Sequence, residues 1–99
     1  NGGIGSGSTE RDVKPTARDR QRRREKEKAA QRERQRLAER QEALERKIHD
    51  LEERQADLER ELTAASEAQE VARVRELGAE YSAVEAELDA SLAEWANLA

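Results

Sequence analysis

From Leu37 onward, apolar side chains recur at alternating three- and four-residue steps. One ladder runs Leu37, Leu44, Leu51, Leu58, with Gln41, Ile48, Gln55 and Leu62 between its rungs. A second runs Val74, Tyr81, Leu88, Trp95, with Leu77, Val84, Ser91 and Leu98 interleaved. This is the heptad spacing of helices that bury one seam against a partner. Folded back to back, the two ladders supply each other's partner, and facing residue numbers then add to a constant. A sum of 132 matches Leu58 with Val74, Gln55 with Leu77, Leu51 with Tyr81, Ile48 with Val84, Leu44 with Leu88, Gln41 with Ser91 and Leu37 with Trp95. The next register, 139, sets Ile48 against Ser91 and Gln41 against Leu98. Burying a polar group beside an apolar one costs free energy unless it finds a partner, so 132 is the expected register. Gln55 is then a tolerated polar intrusion at the edge of a thin seam, Tyr81 lies in the seam, and Trp95 closes the open end over Leu37.

The predicted fold is all-α, an antiparallel two-helix coiled-coil hairpin with a basic N-terminal helical extension. Residues 1–15 read as a flexible linker or expression remnant: residues 1–10 hold four of the five glycines, and the chain lacks an initiator Met. The chain therefore reads as a piece of a longer protein. Thr16 and Asp19 form a capping-box pattern after Pro15, which starts the first helix near Ala17. Residues 16–36 form a basic arm, either a solvated helix or disordered, whose only apolar members are Ala17, Ala29 and Ala30. Residues 37–99 form the hairpin. Ser66 with Gln69 makes a second capping-box pattern, placing the end of helix one at about residue 63, the turn at about 63–66 and helix two at about 67–98. A helix two of about 48 Å reaches back only to about Arg34, so the basic stretch is expected to project past its end. Gly78, in the middle of helix two, permits a bend or a close approach, or is a tolerated surface substitution.

Composition narrows the function classes. With 42% charged residues, two aromatics and no Phe, Met or Cys among 99 residues, the chain is short of the side chains that fill a globular core. No apolar run approaches the ~20 residues of a membrane span, so a cytoplasmic protein without a membrane partner is expected. Absent cysteine fits a reducing compartment. The net charge of −4 conceals an opposition: residues 1–36 hold 12 Lys or Arg against 6 Asp or Glu, and residues 37–99 hold 7 against 17. A basic arm thus precedes an acidic hairpin.

Catalytic and metal chemistry have little to stand on. His49 is the only histidine, at an outward heptad b position, and no cysteine accompanies it. Ser66 has a capping role, and the carboxylates recur beside Arg and Lys at helical spacing, as solvated faces do. No catalytic residue, metal ligand or cofactor is expected within the chain. The segment with a chemical affinity is the arm. Arg18, Arg20, Arg22, Arg23, Arg24, Lys26, Lys28, Arg32, Arg34 and Arg36 spread around every face, a distribution suited to phosphates approached from several directions. Arginine in particular offers bidentate phosphate contacts. No aromatic residue interleaves, so base stacking and sequence-specific reading are not expected. The alternative is a mixed-charge solvated helix, balanced by Glu25, Glu27 and Glu33.

Three stretches carry a family resemblance: LERKIHDL from Leu44, LERELTAA from Leu58 and LAEWANL from Leu92. Together they make residues 37–98 resemble the C-terminal coiled-coil domain of ABC-F ATPases, especially the Uup-like branch. The resemblance implies an accessory domain of a cytoplasmic ATPase, with ATP and Mg bound by cassettes outside this chain. It also implies a nucleic-acid partner: DNA for the Uup-like branch, ribosomal RNA and the ribosome for relatives acting in translation. Two other readings stay open, a structural or protein-docking coiled coil and a tRNA-binding arm of the seryl-tRNA synthetase kind. The chain is expected to be a monomer, although the same heptads suit an intermolecular coiled coil.

Overall fold

The computed structural model describes residues 14–98, so the expected linker at residues 1–13 lies outside the described residues. Among the described residues the fold is two α-helices, α1 (Ala17–Glu67) and α2 (Val71–Leu98). The chain divides into two compact units, Asn1–Gln35 and Arg36–Ala99, and the second is an antiparallel hairpin. Among the described residues no helix is long and apolar enough to cross a membrane.

The start of α1 follows from its cap. The amide of Asp19 donates to Thr16 Oγ1 at 3.1 Å, the amide of Thr16 donates to Asp19 Oδ2 at 3.2 Å, and the first helical bond runs from Arg20 N to Thr16 O. Two orphan donors of the helix end are thereby satisfied.

The turn differs from the sequence expectation. Helix one does not stop near residue 63, and Ser66 does not cap helix two. Instead α1 continues to Glu67, and Gln69 adopts a left-handed conformation with φ of 59°. Glu70 N donates to Ala65 O at 2.9 Å and Gln69 N to Ser66 O at 3.1 Å, the paired bonds of a Schellman C-cap. Glu70 then begins the next helix by accepting from Val74 N at 2.9 Å. Good helix formers at Ala64, Ala65 and Glu67 carry α1 through residues 63–66.

Because the reversal lies later in the chain, the register moves by one heptad. Gln41 Nε2 donates to Leu98 O at 3.3 Å, a pair whose numbers add to 139, and Trp95 Nε1 donates to Glu45 Oε1 at 3.2 Å, one residue from the same sum. The expected register of 132 is therefore corrected to 139, which pairs Gln41 with Leu98, Leu44 with Trp95, Ile48 with Ser91, Leu51 with Leu88, Gln55 with Val84, Leu58 with Tyr81, Leu62 with Leu77 and Ala65 with Val74. Packing agrees: Leu58, Ala65, Leu77 and Val84 form one buried cluster, with Leu51, Leu62, Val74 and Tyr81 against it. In the 132 register Ala65 and Leu77 would stand about 15 Å apart along the hairpin axis, too far to share a cluster.

The polar positions that disfavoured this register are accommodated. Gln41 satisfies a C-terminal carbonyl of α2, and Ser91 is small enough to sit buried, 2% exposed, beneath Ile48. Gln55 Nε2 donates to the Tyr81 hydroxyl at 3.3 Å, and that hydroxyl donates to Glu59 Oε1 at 3.2 Å. The Glu59 carboxylate holds the phenol proton and, with partial burial, raises the Tyr81 pKa. In exchange the seam gains an eighth layer, because Leu62 and Ala65 both find apolar partners. Apolar burial grows with each added layer, and this gain outweighs two polar contacts that are hydrogen-bonded or small. Trp95 does not close over Leu37, which lies past the end of α2 and is 42% exposed.

Ion pairs flank one edge of the seam. In heptad letters with Leu44 at d and Val74 at a, the g positions of α1 are Arg40, Lys47, Arg54 and Glu61, and those of α2 are Arg73, Glu80, Glu87 and Glu94. Arg40 pairs with Glu94, Lys47 with Glu87 at 3.7 Å and Arg54 with Glu80 at 2.5 Å. These pairs are solvent-exposed and contribute little to stability individually, but they favour an antiparallel partner of opposite charge.

The register gives a direct test by thermal or urea unfolding. Leu58→Ala, at a fully buried seam position, is expected to cost about 2–5 kcal/mol. Leu37→Ala is expected to stay within about 0.5 kcal/mol of the parent chain, as an exposed site does; a loss as large as that of Leu58→Ala would restore the 132 register. Gly78→Ala has a separate outcome. A Cβ at Gly78 meets nothing within 4 Å and no glycine described has a positive φ, so this change should stabilise the hairpin by up to about 1 kcal/mol in the same unfolding measurement.

Candidate nucleic-acid interface

The basic side chains singled out in the sequence lie on α1. Arg18, Arg20, Arg22, Arg23, Arg24, Lys26, Lys28, Arg32, Arg34 and Arg36 are all exposed. All but Arg36 belong to the Asn1–Gln35 unit. At 3.6 residues per turn these positions fall around the whole helix circumference, and no apolar stripe interrupts them. Arg20, Arg24, Lys28 and Arg32 follow one another at four-residue steps, which places neighbours about 6 Å apart on the helix surface.

Among the described residues, local bonds engage three of these cations. Arg20 Nη1 donates to Pro15 O at 2.9 Å, Arg22 Nη2 to Asp19 Oδ1 at 2.5 Å and Arg24 Nη2 to Gln21 Oε1 at 3.0 Å. Each partner is exposed, so water and salt compete for it. Asp19 is the acid most committed to the helix. The Thr16 amide, then the Thr16 hydroxyl and Arg22, hold its carboxyl below the ordinary range. What the arm can do chemically is therefore electrostatic: its guanidinium and ammonium groups can bind oxyanions by exchanging weak local partners for stronger ones.

The hairpin unit holds the other groups considered. His49 is exposed at its outward position, with Nε2 3.1 Å from Glu53 Oε1. Ser66 lies inside α1, and its carbonyl accepts from Gln69 N. Among the described residues no three His, Asp or Glu side chains gather to hold a metal ion. One feature escaped the sequence reading, namely the exposure of Trp95 and Leu92. Both flank a shallow groove of about 240 Å³ that Ile48, Glu45, His49 and Glu52 also line. The sequence signal for it is a heptad edge without cations. The e positions of the two helices hold Glu45, Glu52, Glu59 and Glu85, but no Lys or Arg.

The two helices and their seam define a small antiparallel coiled-coil domain. A family model described as the ABC transporter C-terminal domain matches residues 28–99, and the chain belongs to that family. The match takes in the hairpin and the arm from Lys28 onward, leaving Arg18 to Lys26 outside it. Neither the curated proteins nor the solved structures yield a match.

The cap of the arm makes a pH prediction. A carboxyl with a lowered folded-state pKa stabilises at pH above its unfolded value and loses that contribution as pH falls through its folded value. The amide proton of Thr16, which donates to the Asp19 carboxylate, should accordingly lose protection from exchange at pH below the ordinary carboxylate range. Asp19→Asn should flatten this acid-limb dependence, as read by NMR hydrogen exchange.

Proposed function

We propose that the chain is a non-catalytic accessory domain of a cytoplasmic, Uup-like ABC-F ATPase and binds the phosphate backbone of DNA, or of ribosomal RNA, without sequence preference. The observation that carries this reading is the arm itself. Ten cationic side chains are exposed around one helix, and none of them is covered by an apolar face. Phosphate contact needs that surface and little else, since affinity from counterion release depends on the number of phosphates neutralised rather than on the bases. Family membership supports the accessory role, and the Leu44, Leu58 and Leu92 stretches support the narrower branch. In this reading the acidic hairpin is repelled by the polyanion and orients the arm toward it. ATP and Mg belong to the cassettes of the parent protein.

Fluorescence anisotropy with duplex DNA of unrelated sequences tests the proposal. If about five phosphates are neutralised, log affinity against log salt should fall with a slope of roughly −4 to −5. Replacing Arg22, Arg23 and Arg24 together by Gln should weaken binding evenly across sequences and flatten the slope by roughly 2 to 3. Unchanged affinity in that variant, or a sequence preference, would refute the reading.

A further inference from the structure

The two edges of the hairpin seam are chemically unlike. On the g edge, Arg40, Lys47 and Arg54 of α1 meet Glu94, Glu87 and Glu80 of α2, and the remaining acid of that edge, Glu61, lies 3.9 Å from Arg54, so each acid has a cation beside it. On the e edge, Glu45, Glu52, Glu59 and Glu85 face solvent without a single Lys or Arg among the e positions. The large apolar side chains left exposed on α2 beyond its first residue, Leu92 at 44% and Trp95 at 37%, line a groove on that same side. Its floor is the buried Ile48, and Glu45 and Glu52 form its rim.

The indole is held in place. Trp95 Nε1 donates to Glu45 Oε1 at 3.2 Å, which fixes the ring at the groove mouth and leaves over a third of the residue uncovered. A tryptophan face beside carboxylates attracts a guanidinium or ammonium group through both the ring quadrupole and the charges. The aliphatic stem of such a side chain, or an apolar neighbour in the same segment, packs against Leu92. Buried aromatic anchors in a small pocket are the usual centres of binding energy at protein interfaces.

We infer that the groove lined by Ile48, Leu92 and Trp95 and rimmed by Glu45 and Glu52 docks a protein partner through a short segment that carries arginine or lysine beside an apolar residue. Charge complementarity selects this occupant. The rim has carboxylates with no cation of its own edge to neutralise them, and residues 37–99 carry 17 acids against 7 bases. An anionic ligand is repelled from this site, so the groove and the basic arm serve partners of opposite charge.

Trp95 is the only tryptophan in the chain, so its fluorescence reports occupancy directly. The full chain is titrated with a short capped peptide of alternating arginine and leucine, and with a matched peptide of glutamate and leucine. The inference expects a saturable Trp95 emission shift with the arginine peptide and none with the glutamate peptide. Glu45→Gln combined with Glu52→Gln keeps an acceptor for the indole and should weaken binding about two- to fivefold, the scale of lost exposed ion pairs. Glu67→Gln combined with Glu70→Gln, at the turn, should leave it unchanged. Leu92→Ala, checked for retained helicity by circular dichroism, should weaken binding comparably to the rim variant. Equal response to both peptides, equal loss in the rim and turn variants, or no saturable shift would each overturn the inference. So would a Trp95 shift on concentrating the chain alone with a matching rise in mass by sedimentation, since the occupant would then be a second copy.

Discussion

The left-handed turn at Gln69 decides which residues of the two helices meet. A hairpin of two heptad helices has several registers a whole heptad apart, and each keeps the apolar stripes face to face. Seam chemistry alone separates them by only a few contacts. The Schellman closure from Glu70 to Ala65 ends α1 at a defined residue, and Glu70 starts α2 at once. With so few residues between the helices, the chain has little slack for sliding one helix along the other. Everything that follows depends on that fixed point: Leu62 and Ala65 enter the seam, Leu37 falls outside it, and Trp95 comes to rest beside Glu45.

The same register sorts the hairpin surface into edges of different charge. Along the g edge, cations on α1 find acids on α2, and the charges are spent internally. The e edge has no such complement, and the exposed Trp95 and Leu92 lie with its carboxylates. The arm carries the reverse sign on a helix without an apolar stripe. Family membership makes the chain an accessory domain of an ABC transporter-related protein.

Much of this was legible along the chain. Heptads from Leu37 to Leu98 implied two paired helices, because only a seam explains that spacing, and the Thr16 and Asp19 cap placed the start of α1. The basic positions of the arm were equally visible, since exposure follows when no apolar neighbour exists to cover a side chain. The turn was misplaced because Ser66 and Gln69 match a capping-box pattern that the backbone does not use. That pattern competes with helix continuation through Ala64 and Ala65, and burying Ala65 in the seam settled the competition. Ile48 opposite Ser91 disfavours the register adopted, but the apolar layers that Leu62 and Ala65 add at the turn end outweigh that one contact.

By itself, then, the sequence determined the kind of structure and the distribution of charge: two heptad helices, an acidic hairpin and an arginine-rich segment with nothing to bury. These follow from local periodicity and composition, which each residue carries wherever its helix lies. Only the tertiary structure decided the register and therefore the exposure of Leu37, Leu92 and Trp95. Register is a sum over all layers plus the geometry of one turn, and heptad registers differ by less than any single local signal can resolve. The groove beside Trp95 exists because that sum favoured eight layers over seven.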